Sequence, residues 1–125
     1  MSGLFFSVAK VLNPDYLTHM ATLREIEDFS RRVADEFHPD RILLFGSHAH
    51  GRATKDSDVD LLVVMKHEGK SWRTATEIRR RVHPPFPLDL LVRTPGQLQQ
   101  RLAMGDCFLK EITEKGMVLY EALDR

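Results

Sequence analysis

The chain reads as an α/β fold, α+β in its layering, with a small mixed β-sheet flanked by helices. Three observations predict this. Apolar residues recur at every third or fourth position through residues 18–37 and again through 71–82, the period of an amphipathic helix. Short unbroken apolar runs follow these stretches, closed by glycine or opened by aspartate, as expected of strands buried on both faces. At 125 residues there is room for a single domain of the usual ~100–150 residues, so the elements share one assembly. Residues 18–125 are expected to form that domain, preceded by an N-terminal arm over 1–17.

In the first helix, Met20, Leu23, Ile26, Phe29, Val33 and Phe37 form one face. Thr22 and Glu25 have the spacing of a capping box inside this span, and Pro39 ends it. Arg41-Ile42-Leu43-Leu44-Phe45, closed by Gly46, predicts a strand central in the sheet. A polar segment follows, in which Ser47 is placed to open a short helix. Residues 58–65 predict a second strand that begins with carboxylates. The helix over 71–82 puts Trp72, Ala75, Ile78 and Val82 on one side, and Pro84-Pro85-Phe86-Pro87 stops it before a third strand over 88–92.

Thr94-Pro95 is a helix start, with threonine as N-cap and proline at the first helical position. Leu98 and Leu102 supply that helix's apolar spacing. Gly105 and Asp106 break it, a shorter helix carries Phe108 and Ile112, and Gly116 is expected to close that helix in a left-handed conformation. Residues 117–120 suit a last short strand. Trp72 and Cys107 read as core residues.

Composition narrows the classes of function. Hydrophobic residues make up 42% and charged residues 29%, an ordinary globular balance that excludes wholesale disorder. Lysine plus arginine number 18 and aspartate plus glutamate 18, so no global charge draws the chain to nucleic acid and any phosphate must be held by a local site. No direct nucleic-acid contact is expected. Arg73, Arg79, Arg80 and Arg81, with Lys66 and Lys70, read as a solvated face more readily than as a surface for RNA or an acidic partner. Cys107 is the only cysteine, which excludes an intrachain disulfide and a Cys-rich zinc site and makes a reducing, cytoplasmic setting the expectation. In the arm, Leu4, Phe5, Phe6, Val8, Val11 and Leu12 are expected to pack on the domain or a second subunit. Lys10 interrupts that run and no basic residue precedes it, so it reads as mature protein, and no stretch approaches the ~20 apolar residues of a membrane span. A soluble protein is expected.

The chemistry-bearing residues are few. Gly46-Ser47 lies where a buried strand ends; glycine permits close backbone approach, and free amides with the Ser47 hydroxyl suit an anion such as phosphate. Asp58 and Asp60 alternate along a strand, so they share a face, where like charges repel unless a cation joins them. Hard oxygen ligands with few companions favour magnesium. Asp89 stands among Pro87, Leu88, Leu90, Leu91 and Val92, and a carboxylate buried there needs either an arginine partner or the same metal cluster. Imidazole is a poor magnesium ligand, so His48 and His50 are expected to be solvated or to face phosphate.

Together, Leu44-Phe45-Gly46-Ser47-His48-Ala49-His50-Gly51, then Ser57-Asp58-Val59-Asp60-Leu61-Leu62-Val63, then the isolated Asp89, resemble the minimal nucleotidyltransferase family of the DNA polymerase beta superfamily. Phe108-Leu109-Lys110-Glu111-Ile112 and Gly116-Met117-Val118-Leu119-Tyr120 are similar to that family's usual close, so the resemblance spans residues 42–121. It implies a nucleotidyltransferase-like fold in which Gly46 and Ser47 hold a nucleoside triphosphate, ATP in the first instance. By the same resemblance Asp58 and Asp60 hold magnesium ions, two in such sites, and Asp89 completes the metal site and helps deprotonate an attacking hydroxyl. His50 departs from the pattern, since the family often has arginine there.

The implied reaction moves a nucleoside monophosphate onto a hydroxyl and releases pyrophosphate. Small members are often antitoxins paired with a HEPN-domain toxin, an RNase that they silence by binding and by adenylylating a tyrosine, so the resemblance implies such a partner. Two alternatives stay open. One is a binding-only antitoxin or adaptor; the other is a small-molecule nucleotidyltransferase whose acceptor pocket is built by dimerisation, as a homo-oligomer.

Overall fold

A computed structural model describes residues 20–123; the N-terminal arm and its apolar residues lie outside them. Helix α1 (Leu23–Phe37) begins later than residue 18 because Thr22 is its N-cap. The Thr22 hydroxyl accepts the Glu25 amide at 3.1 Å and the Glu25 carboxylate accepts the Thr22 amide at 2.9 Å. The capping box therefore stands at the mouth of the helix, where it satisfies two otherwise unpaired N–H groups. His38, in the left-handed region, ends the helix just ahead of Pro39.

Strands β1 (Arg41–Phe45), β2 (Val59–Val64), β3 (Leu88–Arg93) and β4 (Met117–Glu121) form one four-stranded sheet in the order β3-β2-β1-β4. β1 runs antiparallel to β2 and β4, while β2 and β3 are parallel. The mixed sheet is as expected. A parallel pair requires a crossover, and helix α2 (Ser71–Arg81) supplies it. Helices α3 (Pro95–Ala103) and α4 (Cys107–Lys115) follow β3, capped by Thr94 with Pro95 at the first helical position and by Asp106, whose carboxylate accepts the Leu109 amide at 3.0 Å.

Each face of the sheet carries its own apolar layer. Ile42, Leu44, Leu61, Val63, Leu90 and Val92 pack with Ile26, Phe29 and Val33 of α1 and with Ala75 and Ile78 of α2. On the other face Leu43, Leu62 and Val64 pack with Leu98 of α3 and Leu109 and Ile112 of α4. The central strands β1 and β2 are thus buried on both sides, which explains their unbroken apolar runs, whereas edge strand β3 is buried mainly on one face and β4 is largely open, with Met117 and Val118 exposed.

Expectations at several positions need correction. Trp72 is exposed, because it sits on the flank of the Ala75–Ile78–Val82 stripe; the Arg73 guanidinium lies 5.4 Å from its ring centroid. Cys107 is exposed, because it lies on the side of α4 opposite Leu109 and Ile112. Gly116 is extended, at φ −71, and not left-handed. Glycine is needed there for space: a Cβ would run into the Ile112 carbonyl and lie 3.0 Å from that of Leu44. Met20 and Leu23 are also exposed, since the buried stripe of α1 begins only at Ile26. The basic residues of α2 are partly spent on neighbours. Arg80 pairs with Glu77 at 2.6 Å, and Arg81 pairs with Glu36 at 2.5 Å while lying over the Phe37 ring.

The close fit at Gly116 predicts that Gly116→Ala destabilises the protein by about 1–3 kcal/mol, the usual range for overpacking. Urea denaturation measures it; an unchanged midpoint would show that the α4–β4 joint yields without strain.

Candidate active site

Strand alternation places the site. With Leu44, Leu61 and Leu90 committed to one layer, their neighbours Phe45, Asp60 and Asp89 emerge on the opposite face. The register then sets them side by side, Phe45 opposite Asp60 and Asp60 opposite Asp89. α4 packs on Leu43 and Leu62 in the middle of this face and reaches Phe45 through Phe108, leaving Asp89 exposed. A cleft of about 560 Å³ opens there, lined on the sheet side by Phe45, Asp60 and Asp89, on the loop side by Gly46, Ser47, His50 and Arg52, and on the helix side by Phe108, Glu111 and Ile112. The structure thus brings together four of the five site residues expected, with Asp58 one residue ahead of β2.

Gly46 turns the chain out of β1 at φ +75, a conformation L side chains rarely adopt. A Cβ there would collide with the Asp60 carboxylate, so the glycine also makes room for that group. Ser47–Ala49 then form a single 3₁₀ turn, and the Ser47 carbonyl accepts the amides of His50 at 3.2 Å and Arg52 at 3.0 Å. His48 is half-buried, not solvated: its Nδ1 donates to the Asp58 carbonyl at 3.2 Å, tying the turn to the start of β2, and its Nε2 is buried without a partner. His50 is exposed in the cleft.

Asp89 corrects the burial expected for it. Its apolar neighbours Leu88, Leu90 and Val92 point into the core, whereas Asp89 projects from the other face of edge strand β3, exposed and without an ion pair among the described residues. No arginine partner is needed there. Asp60 is the confined carboxylate. Burial raises its pKa above the ordinary 3.8; the charges of Asp89 and Asp58 raise it further, and His48 opposes them. Among the described residues no three His, Cys, Asp or Glu side chains form a metal cage by themselves. An all-carboxylate set that is mutually repelling and incomplete fits magnesium, which keeps several waters and takes one or two carboxylates plus substrate phosphates.

Arg52, Phe108 and Glu111 line the cleft although the sequence assigns none of them a site role. Arg52 lies two positions beyond His50, and its guanidinium makes no ion pair among the described residues. Phe108 fits the apolar spacing of α4 but is 54% exposed, and its sequence neighbours do not reveal that. A second cleft, about 710 Å³, lies at the opposite strand ends beside Arg41, Lys66, Leu98 and Glu121, far from the carboxylates.

The family model of the nucleotidyltransferase domain matches residues 26–120. Among solved structures the chain is similar to a protein from Sulfolobus solfataricus that carries a provisional nucleotidyltransferase assignment, with 20% identity, 79% of each chain covered and a TM-score of 0.56. At that identity the likeness is one of fold. No curated protein matches the chain.

The crowding of Asp60 yields a prediction with a definite sign. The folded state holds the Asp60 proton more tightly than the unfolded chain does. Stability therefore falls as pH rises from 3.8 through the raised folded value, and stays reduced above it. Asp60→Asn should lack this fall and melt higher than wild type at neutral pH in EDTA. Thermal melts of both proteins from acid to neutral pH check it; a variant that melts lower at neutral pH would mean the carboxylate is a net stabiliser.

Proposed function

Since the chain belongs to the nucleotidyltransferase domain family, we propose that it transfers AMP from ATP to a hydroxyl of a partner protein, as antitoxin to a HEPN-domain RNase toxin. The carrying observation is the cross-strand pair Asp60–Asp89 beside the Gly46–Ser47 turn in one cleft. The antitoxin reading rests on the likeness of residues 44–51, 57–63, 108–112 and 116–120, with Asp89, to the minimal nucleotidyltransferase family, whose small members are often such antitoxins. Asp89 supports it physically, since an exposed carboxylate on an edge strand is reachable by a hydroxyl carried on another macromolecule.

In this reading Ser47, the amides of its turn and Arg52 bind the triphosphate. Arg52 supplies the fixed positive charge that His50 does not, which favours an active enzyme over a binding-only module. Asp58 and Asp60, with Asp89 at the edge of the set, would hold magnesium. When bound, the metal aligns phosphate oxygens and offsets the charge that develops on them. Asp89 accepts the proton of the attacking hydroxyl. The new bond joins that oxygen to the α-phosphorus as the bridge to the β-phosphate breaks, and pyrophosphate leaves.

Asp89→Asn keeps the shape but removes the basicity, so ATP binding should largely survive while transfer falls about 10²–10⁴-fold. Labelled ATP, the protein and its co-expressed partner read this out. Equal transfer by variant and wild type would remove Asp89 from the chemistry, and partner silencing without any transfer would establish the binding-only alternative. Arg52→Ala should weaken magnesium–ATP binding by roughly 1.5–3 kcal/mol, as for a hydrogen bond to a charged group. Calorimetry measures it, and unchanged affinity would place the triphosphate away from Arg52.

A further inference from the structure

Phe108 occupies an unusual place for a large apolar side chain. It projects from the first turn of α4 into the cleft that holds Ser47, Asp60 and Asp89, and it is 54% exposed. Its ring meets Phe45 nearly at right angles, 83°, with centroids 5.7 Å apart. A T-shaped contact engages at most one face of the Phe108 ring, so at least one face is free of Phe45. Phe45 meanwhile sits opposite Asp60 in the sheet, so the two rings connect the carboxylates to the helix side of the cleft. Glu111 lies three residues on, within one turn of α4, and lines the same cleft. Its carboxylate, an acceptor only, makes no hydrogen bond or ion pair among the described residues.

We infer that Phe108 and Glu111 form the nucleobase subsite: the Phe108 ring stacks on the base, and the Glu111 carboxylate accepts a hydrogen bond from an exocyclic amino group. This rests on the nucleotidyltransferase reading and extends it to the choice of base. An open aromatic face is a sequence-tolerant platform, because every base has a π-face. An acceptor beside it supplies the selection, favouring bases that present an amino group over those that present a carbonyl at that edge. Placing the base on α4 leaves Asp89, on the far strand, open for the acceptor hydroxyl.

The test separates base from phosphate. Binding of magnesium–ATP, magnesium–ITP and magnesium tripolyphosphate is measured by calorimetry for wild type, Phe108→Ala, Phe108→Trp and Glu111→Ala, with circular dichroism confirming that each is folded. ITP replaces adenine's amino group by a carbonyl, and tripolyphosphate has no base. Phe108→Ala should weaken ATP roughly five- to hundredfold and leave tripolyphosphate unchanged, while Phe108→Trp retains ATP binding. Wild type should prefer ATP to ITP, and Glu111→Ala should erase that preference. Loss of ATP and tripolyphosphate together in Phe108→Ala, or of neither, overturns the subsite and leaves the triphosphate site standing. Wild type that binds tripolyphosphate but shows no preference for ATP over ITP overturns the role of Glu111. A wild type that binds none of the three overturns the subsite and the nucleotidyltransferase reading together.

Discussion

The Asp60 carboxylate occupies the space that a side chain at position 46 would need. Much of the site follows from that exclusion. Only glycine fits at the exit of β1, and at φ +75 it turns the chain sharply, so the Ser47–Ala49 turn forms beside β2 and Ser47 lines one cleft with Asp60 and Asp89. A loop that left β1 in an extended conformation would carry Ser47 away from Asp60. His48 locks the arrangement from the other end, since its bond to the Asp58 carbonyl fixes where the returning chain enters β2.

This constraint can be maintained because the scaffold around it is over-determined. The strand that holds Asp60 is buried on both faces, with Leu61, Leu62, Val63 and Val64 of β2 all excluded from water, and Leu88, Leu90 and Val92 anchor β3 beside it. Interiors packed this way transmit little slack, so the register that sets Asp60 opposite Asp89 is fixed to within a residue. The scaffold tolerates three like charges at its edge, where Asp89 and Asp58 add to the burial that raises the Asp60 pKa.

The surface divides along the same lines. The basic residues of α2 make local pairs, Arg80 to Glu77 and Arg81 to Glu36, and such exposed pairs contribute little beyond solubility. Arg52 differs. It stands in the cleft with no carboxylate bound to it, although Asp60 and Asp89 line the same space. A cation placed near an acidic cluster yet unpaired is available to a ligand that carries negative charge of its own.

What the residues determined by themselves was everything governed by local spacing. Helical period, unbroken strand runs, the Thr94–Pro95 start and the Asp106 break located the elements, and the Gly46-Ser47, Asp60 and Asp89 pattern marked residues that line one cleft. Thr22 and Glu25 were visible as a capping box, which the structure places at the start of the helix and not inside it, with the buried stripe beginning at Ile26. The sequence cannot say where a covering helix stops. Asp89 sits among apolar neighbours and reads as buried, yet alternation turns it towards a part of the sheet that α4 leaves bare. Phe108 obeys the apolar spacing and Cys107 reads as core, yet both are exposed on α4. Gly116 shows the limit most simply, because its need for glycine comes from the carbonyls of Ile112 and of Leu44, the latter far away in the chain, and not from its own backbone angles. Spacing along the chain reports which residues can share a face; only tertiary packing decides which faces are covered, since coverage is set by contacts between elements remote in sequence.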